Sequence, residues 1–331
     1  MTNIAITSSC NRACDYCFAK AARSDEDAGT SFMSHATFAR ALDFVDRSGV
    51  TQIRLLGGEP TLHPEFVSFM KVALQRQKPI CIFSNGIMPE SALRFMEELP
   101  PDSISVVINL SASFDEATLH ERVVATLQRL GARAVLGVNI SRPRFRLCPP
   151  GIADGEDYMF TLIDQLSLDR QIRVGLAHPC ANLENTHLRP NQYPAAGRAI
   201  LEFAKRAVEK AVRLSLDCGF VPCMAPEMLG IAFGAMATQL CGNCGPVLDI
   251  MPNGKVVPCF PLATVASMTL DDGHDAPELR AHFERELSSY RHLGIFKTCA
   301  DCDYRRRSAC SGGCASAAMK RLVTPSFRLC V

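Results

Sequence analysis

Three thiols, Cys10, Cys14 and Cys17, stand at C-x3-C-x2-C spacing directly after the short apolar run Ile4-Ala5-Ile6. Thiolates are the ligands of iron–sulfur clusters, and a cluster needs several of them converging from different directions. A loop leaving a strand can wrap three around one corner of a cubane. Residues three apart share a helix face, so Cys14 and Cys17 meet if the loop runs into a helical turn. A cubane has four irons, so three protein ligands leave one iron open to another group. The same residues also fit a three-cysteine zinc site or three buried apolar thiols.

A second set of polar residues follows apolar runs further along. Gly57-Gly58-Glu59-Pro60 comes straight after the run at 52–56. Paired glycines let backbone approach a ligand closely, and a carboxylate beside them can accept hydrogen bonds from an ammonium group. Pro60 stiffens the turn. Ser84-Asn85-Gly86 ends the third run, and Asn109, Ser111, Asn139 and Ser141 end the fourth and fifth. Arg142 and Arg144 can meet a substrate charge or remain solvated. His178 and Cys180 follow the sixth run, where a histidine satisfied within its loop is the plainer account.

Ten of the sixteen cysteines lie from residue 218 onward. Cys241-x2-Cys244 comes first, then Cys259 after a Pro252-Asn253-Gly254-Lys255 turn between short strands at 248–251 and 256–259. Cys299-x2-Cys302-x7-Cys310-x3-Cys314 and Cys330 complete eight thiols, or two sets of four. Two such sites staple a tail too poor in apolar residues for its own core. Two zinc ribbons are the competing account. Cys218 and Cys223 are left over, and Arg305-Arg306-Arg307 is either a solvated face or a counter-charge to a cluster.

Strands are predicted at 3–7, 52–56, 79–83, 103–109, 133–139 and 171–176, and helices at 34–48, 64–76, 89–98, 116–130, 158–168 and 192–214. Six strand–helix units form an α/β fold with a parallel sheet, whose reactive loops sit at the strands' C-terminal ends. Periodicity does not separate an open doubly wound sheet from a partial barrel. A Pro-, Gly- and Arg-rich loop at 143–155 contains Cys148. The domain boundary is placed near 224–238, giving domains 1–223 and 224–331. A net charge of +1 argues against a nucleic-acid or membrane partner. The chain has no apolar run long enough for a membrane span and no leader, so a cytoplasmic location is expected. Sixteen cysteines there point to metal or redox centres rather than disulfides.

The triplet, with Tyr16 before its third cysteine, resembles the cluster loop of the radical S-adenosylmethionine (radical SAM) superfamily. The resemblance implies a partial (β/α)6 barrel. It implies a [4Fe-4S] cluster held by Cys10, Cys14 and Cys17, with SAM on the open iron. Gly57, Gly58 and Glu59 would lie against the amino group of SAM. Ser84 and Asn85 match a Thr-Asn-Gly of relatives, and Asn109, Ser111 and Asn139 stand where relatives reach the ribose and carboxylate. One electron from a donor such as flavodoxin or ferredoxin would cleave SAM to methionine and a 5′-deoxyadenosyl radical, which abstracts hydrogen from a C–H bond.

The tail resembles the SPASM extension of many radical SAM enzymes. Gly254 to Cys259 matches its G-x4-C, and the later quartet matches except for a seven-residue middle gap in place of five. By that family's ligation, one auxiliary [4Fe-4S] cluster would use Cys241, Cys244, Cys259 and Cys314, and the other Cys299, Cys302, Cys310 and Cys330. Auxiliary clusters fit net oxidation of a residue in a ribosomally made peptide or protein. The alternatives are radical dehydrogenation or rearrangement of a small molecule, such as an amino sugar or cofactor precursor, and a non-enzymatic zinc-binding module. A redox-neutral outcome would need a hydrogen donor, for which Cys148, Cys180, Cys218 and Cys223 are candidates. The first strand begins almost at once, which leaves no room for an N-terminal peptide-recognition domain and lowers the peptide reading without excluding it, because a separate protein can supply recognition.

Overall fold

The computed structural model describes residues 2–19, 31–152, 155, 157–180, 185–226, 243–271 and 273–323. Runs of β-branched and aliphatic residues form strands β1 (Asn3–Thr7), β2 (Ile53–Gly57), β3 (Ile80–Ser84), β4 (Ile104–Asn109), β5 (Ala134–Ile140) and β6 (Gln171–Leu176). Between and after them lie helices α1 (His35–Arg47), α2 (Phe66–Leu74), α3 (Glu90–Glu97), α4 (Ala117–Leu130), α5 (Tyr158–Leu166) and α6 (Tyr193–Glu209). Each strand pairs in parallel with the next. The six strand–helix units expected from the sequence are therefore present, with ends within a few residues of those predicted.

Side chains alternate across the sheet with period two. Ile80, Ile82, Val106, Ile108, Leu136 and Val138 join the main core. They pack under the apolar stripe of α1, formed by Phe38, Ala41, Leu42, Phe44 and Val45, and under its neighbours. Cys81, Val107 and Val135 cluster on the opposite face. Asn109 stands two residues past Val107, and Asn139 four past Val135, so both lie on that second face at the strands' C-terminal ends.

The predicted helix 192–214 is shorter and is followed by a seventh strand. The helix α6 ends at Glu209, Ala211 turns with φ +52°, and β7 (Arg213–Leu216) pairs parallel with β6. Arg170 caps the break: its guanidinium donates to the carbonyls of Lys210 (2.6 Å) and Ala211 (3.3 Å). Lys210 is the C-cap residue, whose carbonyl has no partner within the helix, and Ala211 follows it.

The tail hairpin lies at the expected place, as β8 (Asp249–Ile250) and β9 (Lys255–Val257), with Gly254 at φ +80° in the turn. It is not a separate sheet. The strand β8 pairs parallel with β1, and β9 pairs with β10 (Met268–Thr269), which gives the order β10-β9-β8-β1-β2-β3-β4-β5-β6-β7. Asn3 Nδ2 donates to Asp249 Oδ1 at 2.7 Å across the join. Burial pushes the Asp249 carboxyl up to about 6. The tail continues through α7 (Ala276–Glu286), α8 (Ser288–Arg291), α9 (Asp303–Arg306) and α10 (Ala315–Val323). Leu279, Phe283 and Ile295 enter the main core, so the tail borrows the barrel's core as its composition suggested. Among the described residues, no helix is long and apolar enough to cross a membrane.

Candidate cluster and cofactor site

The cysteine loop leaves the C-terminal end of β1 and is pressed against the turn after β2. Gly58 N–H donates to the Thr7 carbonyl (2.9 Å) and Glu59 N–H to the Ser9 carbonyl (2.8 Å). A Cβ on Gly57 would overlap the Thr7 carbonyl oxygen. One on Gly58 would overlap the Ser9 carbonyl oxygen and come within 2.8 Å of Cys10 Cβ. Only glycine allows this approach, so the paired glycines set the position from which the first thiol is presented.

Glu59 itself is fully buried. Its Oε1 accepts from the Thr61 hydroxyl (2.7 Å), the Thr61 N–H (3.3 Å) and the Ser84 hydroxyl (2.9 Å), and its Oε2 from Asn85 N–H (2.8 Å). Burial raises its pKa, and these donors partly offset the rise. The carboxylate suggested as an acceptor for an ammonium group is thus already engaged. It joins the turn after β2 to the end of β3.

Other strand ends hold the loop from above. Asn85 Nδ2 lies 2.8 Å from Asn11 Oδ1 and 3.8 Å from Cys10 Sγ, and Asn11 Nδ2 donates to the Ile87 carbonyl (2.9 Å). Asn109 Nδ2 donates to the Tyr16 hydroxyl (2.9 Å), and Arg12 donates to the Ala112 carbonyl (2.5 Å). Burial, then the neighbouring Cys14, pushes the Tyr16 phenol well above its usual range. Asn185 Nδ2 bridges the carbonyls of Tyr16 (3.0 Å) and His178 (2.9 Å), and Thr186 N–H donates to the Asp15 carbonyl (3.0 Å). Arg142 pairs with Asp15 at 3.1 Å on the surface. Ser111 Oγ accepts from Asn139 N–H (2.8 Å), tying the ends of β4 and β5. Cys10, Cys14 and Cys17 are each partly exposed in this frame.

The predicted loop, the glycine pair, and Tyr16, Ser84, Asn85 and Asn109 therefore meet at one place, with Ser111 and Asn139 on the same rim. Sequence reasoning missed Asn11, Arg12 and Asn185, because polar loop residues carry no periodic signal. His178 is buried, with Nε2 3.6 Å from Cys218 Sγ. Cys180 is also buried and donates to the Phe18 carbonyl (3.3 Å).

In the tail, Cys244 and Cys314 are hydrogen-bonded to one another. Ala315 N–H also points at Cys244 Sγ (3.5 Å). Burial raises the Cys259 thiol strongly, with Cys244 and then Cys314 adding to the rise, so these three share a site. Cys241, expected beside them, lies outside the described residues. Cys299, Cys302 and Cys310 line a cavity together with Cys223 and Arg305. Phe296 N–H donates to Cys299 Sγ (3.4 Å) and Gly312 N–H to Cys310 Sγ (3.3 Å), as suits thiolate sulfurs. Cys330 lies outside the described residues.

Among the described residues, no three His, Cys, Asp or Glu side chains converge on a point of single-ion size. A tetrahedral zinc site gathers its ligands on one ion, with sulfurs about 2.3 Å from it. A cubane binds each thiolate to a different corner iron, so its ligands stand further apart around a larger space. The described donor sets are all-cysteine, the ligand chemistry of such clusters.

Residues 4–130 match the family model of the Radical SAM superfamily. The GTP 3′,8-cyclase of Chlorobaculum tepidum is 27% identical over 145 residues, covering 42% of this chain and 43% of that protein. The PqqA peptide cyclase of Ruegeria pomeroyi is 27% identical over 338 residues, covering 95% of this chain and 82% of that protein. Among solved structures, Streptococcus suis SuiB bound to S-adenosylmethionine superposes with a TM-score of 0.65 at 15% identity, over 96% of this chain and 73% of that one.

Proposed function

We propose that this chain, whose residues 4–130 match the Radical SAM superfamily model, uses a [4Fe-4S] cluster and SAM to oxidise a residue of a ribosomally made peptide. Cys10, Cys14 and Cys17 hold the cluster. The turn Gly57-Gly58-Glu59 and the rim residues Tyr16, Ser84, Asn85, Asn109, Ser111 and Asn139 hold SAM. Once bound, cluster and SAM together supply a 5′-deoxyadenosyl radical. The chain's task would be to hold SAM beside the cluster and to keep water from the reacting carbon.

The tail, residues 224–331 in this reading, is a SPASM unit with two further [4Fe-4S] clusters that take the second electron from the substrate. Cys241, Cys244, Cys259 and Cys314 serve the first. Cys299, Cys302 and Cys310 serve the second. Cytoplasmic flavodoxin or ferredoxin supplies the first electron, and a separate protein can supply peptide recognition.

One observation carries the peptide reading: likeness to a peptide cyclase extends over 95% of the chain, tail included. The small-molecule reading comes second, because likeness to the GTP cyclase extends over 42%. The test is anaerobic turnover with SAM, reductant and a short peptide encoded beside the gene, read by mass spectrometry. A mass decrease of two hydrogens per peptide is expected, and an unchanged peptide mass contradicts the reading. Cys302→Ala should uncouple the reaction: 5′-deoxyadenosine is released, and the modified peptide falls below detection. If the peptide is still modified, the second tail cluster is structural only.

A further inference from the structure

Resting on the reading of the tail as a cluster domain, we propose that Cys223 is the fourth thiolate ligand of the second auxiliary cluster, in the position the SPASM pattern would give to Cys330. The cavity between the barrel and the tail is lined by four thiol side chains, those of Cys223, Cys299, Cys302 and Cys310. Three of them come from the expected quartet. The fourth comes from the segment after β7, through the turn Pro222–Met224. Four thiols round one cavity match the ligand number of a fully coordinated cubane.

The surroundings suit a thiolate cluster. Val221, Pro222 and Ile295 give the cavity an apolar wall, and Tyr304 and Gly312 complete it. Arg305 is half-buried at its edge, its guanidinium held by the carbonyls of His292 (2.9 Å) and Arg291 (3.0 Å). A cubane with four thiolates is a net anion, and a fixed cation beside it lowers the cost of placing it there. Cys223 is exposed on its outer side, which places this cluster near the surface on the barrel side, where an electron can leave.

The position of Cys223 has a structural consequence. The other three ligands all belong to the tail. A bond to Cys223 would tie the tail to the end of the barrel sheet through the metal. Ligation releases the thiol protons and couples cluster assembly to the docking of the two parts.

The test is the iron content and the Mössbauer and EPR spectra of anaerobically reconstituted full-length protein. The wild type should hold about twelve irons as three cubanes. Cys223→Ser should bring the count to about eleven with a new three-iron signal, or to about eight with loss of one cubane. Cys330→Ser should keep about twelve and an unchanged spectrum. Cys223→Asp should restore the four-iron form with shifted g-values, because a carboxylate can replace a thiolate, and its circular dichroism shows whether the variants fold. An unchanged spectrum in Cys223→Ser overturns the proposal, as does loss of the same cluster in Cys330→Ser. Cys302→Ser separates the two levels of the argument. If it too leaves iron unchanged, the tail cluster itself is wrong. If it loses the cluster while Cys223→Ser does not, only the ligand assignment fails.

Discussion

Cys14→Ala is expected to reduce 5′-deoxyadenosine formation to the level seen without protein when SAM and dithionite are supplied. Cys14 is the middle of the three thiols, and its carbonyl accepts from Cys17 N–H (3.3 Å), so the turn places both thiols. With one gone, two thiolates would face a cubane and two irons would be open. A cluster so held is lost on reconstitution, and iron should fall by about four per chain. Alanine leaves the main-chain bonds of the loop in place, so the melting temperature of the apoprotein should hardly move. The paired result, intact fold with no cleavage, assigns the effect to ligation. Cleavage retained in Cys14→Ala would reject the three-thiol site.

The second large effect is expected at Gly58. An alanine there would drive its Cβ into the Ser9 carbonyl oxygen and against Cys10 Cβ. Both obstacles belong to a tied segment rather than to the flexible end of a side chain, so the cysteine loop must move away. Overpacking of this kind costs about 1–3 kcal/mol of stability. The functional cost is greater, because the same turn is proposed to hold SAM. SAM affinity by equilibrium dialysis should weaken at least about tenfold, or ~1.4 kcal/mol. Gly49→Ala is the control. Gly49, unlike Gly58, has positive φ (+64°), but no atom lies within 4 Å of its Cβ position, so an alanine there strains its own backbone alone. Equal losses of SAM affinity in both variants would contradict the role given to Gly58.

Much of this site was legible in the chain. The thiol spacing, the glycine pair and the polar strand ends are local signals, and a parallel sheet gathers strand ends on one rim. Six strands and their helices could be read because each carries a full period of apolar residues. The seventh was hidden, because the four residues Arg213–Leu216 continue the apolar spacing of α6 and only the turn at Ala211 separates them. Glu59 was read as a group facing a ligand. Its burial depends on Thr61, Ser84 and Asn85, two of them some 25 residues away, and sequence shows no such convergence. The pairing of β8 with β1 joins residues about 246 apart and leaves no local trace. Cys223 looked like a leftover thiol because motif spacing counts along the chain, whereas the cavity gathers residues from two distant segments.

The central claim is that the iron not held by Cys10, Cys14 or Cys17 is where SAM binds. It is tested most directly by electron–nuclear double resonance of the reduced protein mixed with SAM carrying 15N in its amino group. The account predicts a hyperfine coupling from that nitrogen, lost in Cys14→Ala. A reduced cubane showing no nitrogen coupling with SAM bound would contradict it.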